Sequence, residues 1–129
     1  MRHVTSNLDS ANKNGPLLDH ERLDVYRLAL SFHSEVMKLV PRRGARHLRD
    51  QLERASLSVV LCIAEGAGRT GAKDKRRFYA MARGSATESA AIVDVLRVRN
   101  MASAGDCRRA RTMAVRVVQM LSRLCAPRR

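Results

Sequence analysis

The side chains best able to do chemistry in this chain are its five glutamates, four histidines and three cysteines. A di-iron bundle would present Glu-x-x-His pairs, with each carboxylate one helical turn from an imidazole. Glu21, Glu35, Glu53, Glu65 and Glu88 are each followed, three positions on, by a residue other than His. His3, His20, His33 and His47 are scattered, and no Cys/His spacing matches a zinc site, so no metal or cofactor is expected. Gly66-Ala67-Gly68 lacks the Lys-Ser/Thr that would complete a phosphate loop. Cys62, Cys107 and Cys125 lie on or beside apolar stripes, where a thiol acts as a small hydrophobe rather than a nucleophile. The expectation is a protein that binds rather than catalyses.

Arginine is the abundant functional group. The chain has 129 residues, with 25 Lys and Arg against 12 Asp and Glu, for a formal net charge of +13. Such a field attracts polyanions, and the guanidinium fork suits phosphate. Arginine enrichment over lysine is equally a product of base composition in a GC-rich genome, but that does not account for the net charge.

Elements that could position these groups follow from the apolar spacing. Residues 1–18 are polar, end near Gly15-Pro16, and read as a tail without the apolar centre of a secretory leader. Four helical segments follow within residues 19–126, and residues 127–129 form a short basic tail. The first helix is expected from Asp19, as N-cap, to Pro41, with Tyr26, Ala29, Leu30, Val36, Met37 and Val40 inward. The second runs from Gly44 to Gly66-Ala67-Gly68, with a seam of Leu52, Ala55, Val59, Cys62 and Gly66. A third extends from Gly71 to about Met101 on Phe78, Met81, Ser85, Glu88, Ile92 and Val95. The fourth starts near Asp106 on Cys107, Ala110, Ala114, Val117, Leu121 and Leu124. Alternating steps of three and four with short connections predict an all-α, antiparallel up-down four-helix bundle. On the third helix this phase buries Ser85 and Glu88, which then need polar partners, expected from Arg54, Ser56 or Ser58 on the second helix. The other reading of Glu88, a ligand-binding or catalytic carboxylate, lacks a second acid or His to act with it.

Up-down topology brings the first and third connections to one pole. That pole gathers Arg42, Arg43, Arg46, Arg49, Arg97, Arg99, Arg108, Arg109 and Arg111 against Asp50, Glu53, Asp94 and Asp106. Of these, Arg42, Arg43, Arg46, Arg97, Arg99, Arg108, Arg109 and Arg111 are the expected nucleic-acid contacts. At the other pole Arg69, Lys73, Lys75, Arg76 and Arg77 are offset by Asp19, Glu21, Asp24, Glu65 and Asp74. Arg109, Arg116 and Arg123 add a stripe on the fourth helix that reads as a solvated face or as a binding track.

The stretch Ile63-Ala64-Glu65-Gly66-Ala67-Gly68-Arg69, with Arg77-Phe78-Tyr79 and Ala82-Arg83-Gly84-Ser85-Ala86-Thr87-Glu88, resembles the bacterial four-helix-bundle proteins encoded in intervening sequences of large-subunit ribosomal RNA genes. The accessory variability determinant of diversity-generating retroelements is similar in fold. The resemblance implies a homopentamer and, for the retroelement relatives, a basic protein that binds nucleic acid beside a reverse transcriptase. Cys62 stands where that family usually has Asn, and Lys75 where Phe is common. Nucleic acid bound with little sequence preference is thus the expected ligand, with an acidic protein surface, such as that of a reverse transcriptase, as the alternative. An odd number of widely spaced cysteines and no long apolar run point to the cytoplasm and away from a membrane.

Overall fold

A computed structural model describes residues 16–127; the proposed tails at 1–18 and 127–129 fall largely outside that range. Among the described residues 82% are helical and none is in a strand. A 3-10 turn, Asp19–Arg22, precedes four helices: α1 (Asp24–Leu39), α2 (Arg46–Gly68), α3 (Ala72–Val98) and α4 (Ala104–Cys125). Each packs on its neighbours in the chain, and α1 closes the ring against α4, so the helices occupy the corners of a square. The four-helix bundle expected from the spacing is the fold observed.

Asp19 does not cap α1. Leu23 adopts extended backbone (φ −92°, ψ 125°) and separates the 3-10 turn from the helix, so the α-helix begins five residues later. Glu21 in that turn is buried, and its carboxylate accepts the Leu18 N–H at 3.0 Å. Along α1 the buried residues are Val25, Ala29, Ser31, Phe32 and Val36, with Val40 just beyond, so Phe32 replaces Leu30 at the centre of the packed face. On α4 the expected face is the buried one from Cys107 through Leu121, while Leu124 is exposed.

The turn between α2 and α3 explains two residues of the glycine-rich segment. A Cβ on Gly66 would stand 2.8 Å from Tyr79 Cε1 and 3.1 Å from Phe78 Cβ, so only hydrogen fits where the helices come together. Lys75 Nζ donates to the carbonyls of Gly66 (3.3 Å) and Ala67 (2.7 Å), supplying both hydrogen bonds and charge to the end of α2. Lysine here acts as a helix cap.

This contact also fixes the rotation of α3, and it differs from the expected phase by one residue. The inward face is Tyr79, Ala82, Ala86, Ser89, Ile92, Val93 and Leu96, and of the expected stripe Ile92 is buried as anticipated. Met81, Glu88 and Val95 are exposed, and Ser85 sits at the rim. The buried polar set is corrected accordingly. Ser85 Oγ donates to Ser58 Oγ at 3.0 Å, Ser56 turns toward α1 and meets His33 Nδ1 at 2.6 Å, and Arg54 and Glu88 are both on the surface. Two stripes with the same three-four rhythm run side by side on α3. Tyr79 and its alanines win because they fit the close approach at Gly66. The buried hydroxyl on the winning stripe, Ser89, is satisfied by its own helix through Ser85 O at 2.8 Å.

Gly66→Ala should lower stability by roughly 1–3 kcal/mol, because overpacking against a buried ring outweighs a helix-propensity gain of at most about 1 kcal/mol. Gly68→Ala, whose Cβ would meet nothing within 4 Å, should be neutral or stabilising. Chemical denaturation of the two variants checks the pair.

Candidate nucleic-acid interface

The α1–α2 and α3–α4 connections lie at the same end of the bundle, above a core of Val40, Ala45, Leu48, Leu96 and Cys107. Their shapes are set locally. Gly44 takes φ 81° in the first connection. In the second, Asn100 takes φ 58°, and the N–H groups of Asn100 and Met101 bond back to the carbonyls of Arg97 (3.0 Å) and Leu96 (2.8 Å). That paired closure is a Schellman motif with Asn in the left-handed position and Met101 packed on the core. Ser103 then caps α4 by accepting the Asp106 N–H at 3.1 Å.

These connections and the adjoining turns present Arg42, Arg43, Arg46, Arg97, Arg99, Arg108, Arg109 and Arg111, all exposed. Two are engaged: Arg46 lies 4.0 Å from Asp50, and Arg109 pairs with Asp106. Arg49 is half-buried and reaches the Val40 carbonyl at 3.4 Å, so it braces the connection. The side chains of Arg42, Arg43, Arg97, Arg99, Arg108 and Arg111 have no ion-pair or hydrogen-bond partner among the described residues. Arg97 and Arg99 end α3, where the helix dipole favours cations. Arg108 and Arg111 lie past the first turn of α4, which begins at Ala104, so the dipole bears little on them.

Three cations at the opposite pole are used internally, whereas Arg22, Lys73 and Arg76 have no ion-pair or side-chain hydrogen-bond partner among the described residues. Arg69 bridges Glu65 and Asp74 at 3.6 Å each, and Arg77 binds Asp74 at 3.0 Å. Both guanidiniums lie against the Phe78 ring, 4.7 and 4.6 Å from its centroid. Lys75 is committed to α2. The two ends therefore differ in available charge more than their compositions suggest.

No Phe or Tyr ring is free for base stacking. Phe32 and Tyr79 are buried, Phe78 lies against two arginines, and Tyr26 packs on His20 with centroids 4.6 Å apart. Burial raises the pKa of Tyr26, Tyr79 and Cys107. For Cys107 desolvation comes first, and Arg97 nearby pulls the other way. Its Sγ points to the Val93 carbonyl at 3.9 Å. No cluster of three or more His, Cys, Asp or Glu suited to a metal occurs among the described residues. None of their helices is long and apolar enough to cross a membrane.

Fold and charge thus define an all-α bundle with one arginine-rich end. Over residues 21–123 the chain matches the family described as 23S rRNA-intervening sequence protein, and it belongs to that family. A comparison with curated proteins returns no match.

With its pKa raised, Cys107 carries less thiolate than an ordinary cysteine at any pH below that pKa. Iodoacetamide at mildly alkaline pH should therefore modify Cys107 last, with Cys62 and Cys125 ahead of it. Peptide mass mapping should show the difference vanish in denaturant.

Proposed function

We propose that this protein is a non-enzymatic, oligomeric, cytoplasmic module that binds the backbone of RNA or DNA through its arginine-rich end. The observation that carries this reading is the contrast between the poles. Six exposed arginines at one end lack acidic partners among the described residues, while Arg69, Lys75 and Arg77 at the other are internally occupied. Unpaired cations crowded together repel one another, and a polyanion would relieve that repulsion. The lack of a free Phe or Tyr, in a chain without Trp, favours phosphate contacts over base stacking, and such contacts carry little sequence information. Family membership supports a helical module, and resemblance to the retroelement proteins suggests a pentamer. Repetition of the pole around a ring would then add avidity to weak single-site contacts.

Binding to duplex RNA should weaken as salt rises, with a log–log slope of roughly −0.7 to −0.9 per phosphate neutralised. Replacing Arg42, Arg43, Arg108 and Arg111 with Gln should flatten that slope by about 2–4 and reduce affinity on duplexes of different sequence alike. Replacing Arg22 and Lys73 at the far pole should change little. Fluorescence anisotropy across a salt series reads both effects. Equal binding by the quadruple variant and the wild type would remove the pole as a nucleic-acid site. An acidic protein partner, such as a reverse transcriptase surface, would then be the reading left.

A further inference from the structure

The exposed arginines of α4 continue well beyond the basic pole. Arg109, Arg116 and Arg123 stand seven residues apart on the outer side of the helix, each about 10.5 Å from the next along its axis. Thr112 and Gln119 are exposed alongside them. Arg109 pairs with Asp106, but the side chains of Arg116 and Arg123 have no ion-pair or hydrogen-bond partner among the described residues. No residue three or four positions from either of these two carries a charge. Residues 107–129 in fact hold seven of the 25 Lys and Arg and none of the 12 Asp and Glu. More than half of the net charge of +13 thus falls in less than a fifth of the chain. A GC-rich genome exchanges Arg for Lys; it does not strip a helix of acids.

The flanks of α4 leave this charge standing. Toward α1, Glu35 lines a cleft with Arg109, and Asp24 lines one with Arg123. Each acid is already paired on its own helix, Glu35 with Lys38 at 3.6 Å and Asp24 with Arg27 at 3.4 Å. Toward α3 the neighbours are half-buried cations. Arg83 donates to Ser122 Oγ at 3.4 Å, and the Arg76 carbonyl meets Cys125 Sγ at 3.9 Å. Asp94 lies on the same flank of α3, nearer the pole. At the diagonal corner the surface is of another kind: α2 exposes Leu57 and Leu61, and residues 55–68 contain no Lys or Arg. The positive field therefore points one way, outward from α4.

We propose that the outer side of α4 is a track along which a nucleic-acid duplex lies lengthwise, with Arg116 and Arg123 holding phosphates beyond those held at the pole. The helix fixes its cations in a straight line about 21 Å long, and a straight array suits a stiff ligand. A DNA duplex keeps its direction over about 150 base pairs. It also carries a charge every ~1.7 Å, so the track faces roughly six base pairs and a dozen phosphates. A single strand would have to be straightened first, and it finds no Phe or Tyr on α4 to stack against. Track and pole meet at Arg108, Arg109 and Arg111 and form one continuous field. This inference rests on the nucleic-acid reading of the pole and adds to it both a second set of contacts and the form of the ligand.

Fluorescence anisotropy on the full chain tests it, using a duplex RNA of about twelve base pairs, twice the track length, and one of its strands alone. Circular dichroism verifies that each variant is folded. Arg116→Gln combined with Arg123→Gln should flatten the log–log salt slope on the duplex by about 1.4–1.8 and lower affinity on the order of tenfold at physiological salt. Gln119→Glu, which sets a carboxylate among the track arginines, should weaken duplex binding as well. Arg54→Gln combined with Lys73→Gln removes the same charge from other corners and should leave the slope unchanged. Wild type should bind the duplex more tightly than the single strand. If the Arg116 and Arg123 double variant keeps the wild-type slope while the quadruple variant of the pole loses affinity, the track is overturned and the pole reading stands. Equal affinity of the wild type for duplex and single strand overturns the duplex assignment. A wild type that binds neither probe removes the pole reading and the track together.

Discussion

The close approach of α2 and α3 at Gly66 is the contact on which the rest of the arrangement depends. With only hydrogen at that position, the Tyr79 ring can lie directly against the α2 backbone. Once Tyr79 is inside, helical periodicity places Ala82, Ala86, Val93 and Leu96 inside as well. The same rotation pushes Met81, Glu88 and Val95 out. A single missing side chain thus determines both what fills the core and what the hairpin shows to its surroundings. Lys75 holds the arrangement from the other side by occupying the last carbonyls of α2, so helix end and helix contact are secured within one turn of each other.

How well each helix could be read from sequence depended on the contrast between its faces. The outer side of α4 is polar and cationic, so its buried stripe from Cys107 to Leu121 stands out without ambiguity. On α3 both sides carry small or apolar residues, and the stripe through Met81, Ser85 and Glu88 has the same rhythm as the buried one. Periodicity alone cannot choose between parallel stripes; the space available beside Gly66 does. In α1 the error was of another kind. Phe32 is the largest fully buried side chain, yet it sits between Leu30 and Met37, which share the rhythm of the wrong face.

At the basic pole, topology alone was enough to bring the arginines to one end, because up-down connections admit no other arrangement. Which of them remain available was not legible. Arg46 and Arg109 have acids three or four residues away on the same helix, whereas Arg49 turns back to a backbone carbonyl in the preceding connection. Net charge counts these equally with Arg42 and Arg108. The far pole makes the same point in reverse: Asp74 neutralises two arginines at once, and the Phe78 ring packs against both.

Nearest neighbours in this bundle are nearest neighbours in the chain, with the packing of α1 on α4 as the one distant closure among the helix pairs. Topologies dominated by local contacts fold quickly, because little loop entropy must be lost before packing begins to compensate. The α2–α3 hairpin, already complete at Val98, can dock before α4 has been synthesised. Its exposed leucines would then spend little time among other unfinished chains. For a protein that leaves part of its apolar surface uncovered, speed of folding is itself a protection against aggregation.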